Sequence, residues 1–207
     1  MEIWAALLIA FVSIVIGGLL TWVIGKALGA IQQTELLKKL RDAVIDREHV
    51  SVNEEFLMTQ LLAEKILNDN FIPDVIFAVC PGGAMIAEWL SRRFFKKRSV
   101  SIPVQSLYMV IQETKEEGMR KIEANVDDKL AVISSGLPKN SKVLLVNDIS
   151  RSGHTLDAAY GFLRNHFQEG SIRSATLIYH KDTTVIPKYY VALTEKTIRF
   201  DWKSYDQ

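Results

Sequence analysis

The sequence predicts an α/β protein, a parallel sheet flanked by helices and preceded by one transmembrane helix. Three observations carry this. Residues 74–95 and residues 142–167 share one grammar: a short apolar run, a turn of small residues, then apolar residues at helical spacing. Strands covered on both faces read as continuous apolar runs, and parallel strands need helical crossovers, so a repeated strand–turn–helix unit points to a parallel sheet. The third observation is residues 3–24 (IWAALLIAFVSIVIGGLLTWVI), which hold no charge.

That charge-free run is long enough to cross a bilayer core of about 30 Å. Trp4 and Trp22 stand near its ends, where indoles favour the interface. Residues 1–31 are read as the anchor. A buried core helix and a cleaved signal peptide are the alternatives, the latter with Ala27-Leu28-Gly29-Ala30 as a cleavage-like pattern, but a signal peptide has a basic start and the only early charge here is Glu2. Lys26, Lys38, Lys39 and Arg41 follow the span and no Lys or Arg precedes it, which places the C-terminal bulk in the cytoplasm of a single-pass protein. The lone cysteine, Cys80, agrees with a reducing compartment. Gly25 and Gly29 form a GxxxG at the membrane exit, a weak signal for a homodimer.

Residues 32–50 read as a juxtamembrane helix and linker, with Leu36, Leu37, Leu40 and Val44 on one face. The globular domain then occupies residues 51–207. Ser51 followed by Glu54 offers a capped start for a helix that runs to about Asn70 and stops before Pro73. Residues 74–79 (DVIFAV) form a strand that enters Cys80-Pro81-Gly82-Gly83 and a helix over 84–95. A looser strand is expected at 102–111, a long polar loop at 112–125, and a strand at 130–133. Val143–Val146 is the next buried strand, ending in Asn147-Asp148 and the turn Ser150-Arg151-Ser152-Gly153-His154-Thr155. Leu156, Ala159, Leu163 and Phe167 mark the following helix face. Strands at 175–179, 189–193 and 198–202 complete the chain.

Composition excludes several functions. A chain of 207 residues with net charge +1 has no strongly basic surface, so nucleic acid is not expected as a partner. Histidines 49, 154, 166 and 180 are scattered without metal-ligand spacing, which argues against structural zinc. There is no GxSxG, no Gly-rich loop ending in Gly-Lys-Ser or Gly-Lys-Thr, and no internal repeat.

What remains is phosphate chemistry. A small-residue turn feeding a helix N-terminus presents free N–H groups and a helix dipole to an anion, and Gly153 lets the backbone close around it. An ordinary capped strand–turn–helix has the same pattern, with Ser152 or Thr155 as the cap. Gly82 and Gly83 likewise suit either a second anion or close packing.

The run VLLVNDISRSGHTL resembles the phosphoribosyl-pyrophosphate (PRPP) signature of type I phosphoribosyltransferases, and LAEKI…IPDVIFAVCPGGAMIAEWLSRRF and LIYHKD…PKYYVALTEKTIRFDW are similar to the xanthine-guanine/hypoxanthine branch. The resemblance implies a phosphoribosyltransferase-like (Rossmann-like) fold over residues 51–202 and transfer of phosphoribosyl from PRPP to a purine base. It implies that Asp148, with Asn147, holds the ribose hydroxyls, and that Ser150, Arg151, Ser152, Gly153, His154 and Thr155 hold the 5′-phosphate. Pro81, Gly82 and Gly83 become the pyrophosphate loop, and Lys181 with Phe200 or Trp202 the base contacts, a place in the core being the alternative for both aromatics. Residues 112–125 become a hood over PRPP, in which Lys115, Arg120 and Lys121 either reach phosphates or form an ordinary solvated charge run. Magnesium would be held mainly by PRPP, with Asp148 an indirect partner.

Four positions depart from the family pattern: Pro81 before the glycines, Asn147 at the first acidic position, Arg151 where an aspartate near the base is common, and Thr197 in place of a stacking aromatic. Arginine cannot act as a base near neutrality. Two readings follow, a membrane-tethered purine-type phosphoribosyltransferase or a tethered module that senses PRPP or a nucleotide.

Overall fold

The computed structural model describes residues 48–109, 114–116, 119–121 and 136–201. The anchor read at 3–24, the juxtamembrane helix, the strand expected at 130–133 and Trp202 lie outside the described residues. Among the described residues no helix is long and apolar enough to cross a membrane.

The chain begins with a two-residue strand β1 (His49–Val50) and helix α1 (Val52–Asn68). Ser51 caps α1 through a complete capping box: its side chain accepts from the Glu54 N–H, and the Glu54 carboxylate accepts from the Ser51 N–H at 2.9 Å. Strand β2 (Val75–Cys80) leads into α2 (Gly82–Arg98), then β3 (Val104–Tyr108) and a short antiparallel hairpin, β4 (Thr114–Glu116) and β5 (Met119–Lys121). The hairpin falls within the expected polar loop. Strand β6 (Val143–Ser150), helix α3 (His154–Arg164), and strands β7 (Ile172–His180), β8 (Tyr189–Thr194) and β9 (Arg199–Phe200) follow.

Five of the strands form one parallel sheet in the order β3-β2-β6-β7-β8. Helices α1 and α2 pack together, α2 over β2, β3 and β6 and α1 over β7 and β8, while α3 packs against β6 and β7. Every residue of β2 and β6 is buried, as continuous runs between two layers require. Period-2 alternation divides them: Val75, Phe77, Val79, Val143 and Leu145 join Leu156, Ala159 and Leu163 of α3 in one core cluster. Their neighbours Leu144, Val146 and Asp148 therefore face α2.

Two expectations are corrected. Strand β6 does not stop at Val146 but continues through Asn147 and Asp148 to Ser150, because its pairing with β7 extends to Ser150 opposite Tyr179. Residues 49 and 50 are not linker but a strand. Arg199 and Phe200 of the C-terminal strand pair in parallel with His49 and Val50.

At the amino edge of the sheet, Arg173 and the Tyr189 hydroxyl both reach Asp69, at 2.6 and 2.7 Å. This ties the end of α1 to β7 and β8.

Candidate active site

The chain runs from β2 outward to β3 and returns to β6 on the other side of β2. In open parallel sheets such a reversal leaves a crevice at the carboxyl ends of the two diverging strands. A cavity of about 420 Å³ lies there, lined by Val79, Cys80, Pro81 and Gly82 from one side and by Asn147–Gly153, Thr155 and Leu156 from the other.

Two helices start at this cavity. Helix α2 begins after Pro81 and α3 after Gly153, and neither has a side-chain cap. Helix N-termini carry a partial positive charge and unpaired N–H groups, so each is suited to an anion. Between them stands the carboxylate of Asp148, 3% exposed, with Oδ1 accepting from the Ile149 N–H at 2.7 Å.

The glycines have distinct duties. A Cβ on Gly82 would lie 2.5 Å from the Asp148 carboxylate, whereas one on Gly83 would lie 2.4 Å from the Val146 carbonyl oxygen. Gly82 is on the cavity wall; Gly83 is a packing glycine between α2 and the backbone of β6. Gly153 has φ +88°, a left-handed conformation, and a Cβ there would meet the Val185 nitrogen at 2.7 Å. Its replacement would disturb the loop's support as well as any anion.

That support was not legible from the motif. The Ser150 hydroxyl is 2.9 Å from that of Thr183, and the Ser152 carbonyl accepts from both the N–H and the hydroxyl of Thr184, at 3.1 and 2.9 Å. Residues 183–185 thus buttress the turn from below. The adjacent threonines of HKDTTVIP, between a strand and a proline, were the available signal.

Asn147 and Arg151 line the cavity but are already engaged. The Asn147 amide donates to the Ile149 carbonyl at 3.0 Å. The Arg151 guanidinium donates to the Ile198 carbonyl at 2.6 Å, bridging the turn to the C-terminal segment. Ser152 and Thr155 are on the wall, while His154 is exposed and off it. Lys181 follows β7 at the same edge of the sheet; its Nζ pairs with Glu195 at 3.1 Å and it is not on the wall. Of the two readings of Phe200, base contact or core, the structure takes the second: it is 1% exposed and held in β9 against β1.

A metal bound by protein alone would need more donors than this. Among the described residues no group of three His, Cys, Asp or Glu side chains could hold an ion. One carboxylate, Asp148, suits an ion that arrives with oxygen ligands of its own.

A family profile described as Phosphoribosyl transferase domain matches residues 51–205. Among solved structures, the purine phosphoribosyltransferase from Pyrococcus horikoshii Ot3 is 27% identical, with TM-score 0.57 over 75% of this chain and 94% of that one. A hypothetical protein from Neisseria gonorrhoeae with bound ppGpp is 21% identical, with TM-score 0.63 over 77% of this chain and 92% of that one. The xanthine-guanine-hypoxanthine phosphoribosyltransferase of Helicobacter pylori is 19% identical, with TM-score 0.59 over 77% and 97%. At these identities the last two show a shared fold. The sequence has no match among curated proteins.

Proposed function

Since the chain belongs to the phosphoribosyltransferase family, glycosyltransferase-type enzymes that act through PRPP, we propose that it transfers the 5-phosphoribosyl group to a purine-type base at the cytoplasmic face of a membrane. One observation carries the reading of the site: two helix N-termini without side-chain caps open on one cavity, with a single buried carboxylate between them. PRPP has that layout, a ribose with phosphate at one end and pyrophosphate at the other.

In this reading the turn Ser150–Thr155 binds the 5′-phosphate and Pro81–Gly82 the pyrophosphate, each on its helix dipole. Asp148 accepts hydrogen bonds from the ribose hydroxyls and its charge favours the cationic character that develops at C1′. A purine nitrogen forms the new bond to C1′ as the C1′–oxygen bond breaks; the electron pair leaves with pyrophosphate, and the purine N–H proton passes to pyrophosphate or water. Alignment does much of the work, since holding both reactants in line removes the entropy of bringing them together. Arg151 serves as a cation, not as a base. Mg²⁺ brought in with PRPP would neutralise the pyrophosphate, and Asp148, the carboxylate on the cavity wall, would be the protein residue that helps hold it.

The purine preference draws support from the Pyrococcus horikoshii enzyme. The test is pyrophosphate release from PRPP and Mg²⁺ with hypoxanthine, guanine, xanthine or adenine supplied singly. Binding of PRPP without release for any of the four would leave the sensor reading in place of the enzyme. The tether rests on the charge-free residues 3–24 and the cations that follow them. The intact protein should resist alkaline extraction from membranes and expose its C-terminus only on the cytoplasmic side.

A further inference from the structure

The outer face of α1 and α2 carries a combination that the active site does not use. Phe95 is 60% and Phe56 43% exposed, with Val52 and Leu57 exposed beside Phe56 on the first turns of α1. Phe56 meets Trp89 edge to face, ring centroids 5.0 Å apart, and the pair walls a groove of about 390 Å³ rimmed by Arg92, Arg93 and Lys96. Lys97 and Arg98 follow at once. The last seven residues of α2 thus hold five cations, answered by Glu88 on Arg92 and by Glu64 on Arg93 and Lys97.

We propose that this α1–α2 face seats on an anionic phospholipid bilayer, the rings entering the headgroup boundary and the cations meeting lipid phosphates. Exposed aromatics among cations are the combination that an anionic interface rewards, one part by burial and the other by charge. A second copy docking on the same patch would set cations against cations. A soluble anion in the groove would leave Phe95 in water. The choice of a bilayer as occupant rests on the membrane reading of residues 3–24. Residues 25–51, 27 in all, join that span to α1. Fully extended, 27 residues reach no more than about 95 Å, so a membrane-held span keeps the domain within that distance of lipid. The face belongs to the two-helix layer and the cavity to the carboxyl edge of the sheet, so seating leaves the cavity open to solution.

The test uses the full chain in phosphatidylcholine vesicles with and without phosphatidylglycerol, carrying Phe95→Cys labelled with a polarity-sensitive fluorophore. The native Cys80 lines the cavity, so it is replaced first, by Cys80→Ala, leaving the label on residue 95 alone. A blue shift is expected only with phosphatidylglycerol, reversed by salt. A second label at Ile186→Cys, beside α3, should not shift. Adding Lys96→Glu and Arg98→Glu should weaken seating by at least about tenfold, with the melting temperature unchanged. If the chain survives an alkaline wash on the vesicles while the Phe95→Cys label stays in water, the seating is wrong and the anchor stands. If the wash removes the chain, the anchor is wrong; salt-sensitive flotation with anionic vesicles then supports the seating, and its absence overturns it. A shift that follows protein density and ignores lipid charge would assign the face to a second copy and overturn the proposal.

Discussion

Gly82 and Asp148 are so close that a Cβ on residue 82 would lie 2.5 Å from the Asp148 Cγ and Oδ2. The first residue of α2 is glycine because the carboxylate at the end of β6 occupies the space of a side chain. Gly82→Ala should therefore displace the carboxylate and leave the sheet alone. Turnover with PRPP should fall at least tenfold, about 1.4 kcal/mol of transition-state stabilisation, with little change in melting. Gly83→Ala meets the Val146 carbonyl at 2.4 Å, where no side chain can move aside. It should lower stability by roughly 1–3 kcal/mol, as overpacking does. Kinetics and calorimetry on the two variants should separate them, and the opposite assignment would refute the geometry.

Asn147 invites the substitution that restores a family-like carboxylate, and sequence alone suggests that packing would barely notice Asn147→Asp. The structure argues otherwise. The Asn147 amide donates to the Ile149 carbonyl at 3.0 Å, and aspartate would set oxygen against oxygen there. Exchanging a buried hydrogen bond for an anion facing a carbonyl costs about 1–3 kcal/mol. The expected result is a lower melting temperature and no gain in turnover. Faster pyrophosphate release at unchanged stability would show that the hydrogen bond is dispensable and that charge was the missing element.

What the sequence revealed and what it hid divide by range. The capping box of Ser51 and Glu54 is local, four residues in a row, and so it is visible without a fold. The buried strands β2 and β6 announce themselves by continuous apolar content. The partner of Phe200 could not be read, because β9 pairs over two residues with a segment about 150 positions earlier. Nor could the extension of β6 through Asn147 and Asp148, since polar residues normally end a strand; here β7 pairs with them and the cavity takes their side chains. The phosphate-type turn itself was legible as a motif, whereas its buttress at Thr183 and Thr184 depends on a contact from β7's far end.

The cluster of Asp69, Arg173 and Tyr189 predicts how stability responds to pH at both extremes. The hydrogen bond from the Tyr189 hydroxyl, aided by the charge of Arg173, holds the Asp69 carboxyl below its usual value. A depressed carboxylate adds stability above its unfolded pKa, and that contribution is lost as pH falls below about 4. Burial, with the bond to Asp69, pushes the Tyr189 hydroxyl up. A raised phenol favours the fold at lower pH and ceases to do so as pH climbs past about 10. Melting temperature against pH should drop at both ends. Asp69→Asn should flatten the acid limb and Tyr189→Phe the alkaline one. Curves parallel to wild type would mean that other groups set these limits.

Arg151 is the departure whose consequence is easiest to measure. Its guanidinium reaches from the phosphate-type turn to the Ile198 carbonyl at 2.6 Å, while Glu195 of the same C-terminal segment pairs with Lys181 at 3.1 Å and accepts, through its carbonyl, a contact from the His180 Nε2 at 3.0 Å. The Arg199 N–H closes the far end on the Glu48 carbonyl at 2.7 Å. Residues 194–200 are thus a strap fastened at several points, and the Arg151 bond is the one that comes from the turn. A hydrogen bond to a charged group contributes about 1.5–3 kcal/mol, so Arg151→Ala should speed amide exchange in 194–200 by roughly tenfold or more while β6 and β7 keep their protection. Arg151→Lys should restore little, because an ammonium on a shorter stem lacks the planar fork that spans this gap. PRPP affinity measured on the same variants decides what the cation is for. Weaker PRPP binding with unchanged exchange would make Arg151 a phosphate ligand and the strap contact incidental. Faster exchange with unchanged PRPP affinity, and a raised KM for the base, would make it the fastening that shapes the entrance to the site.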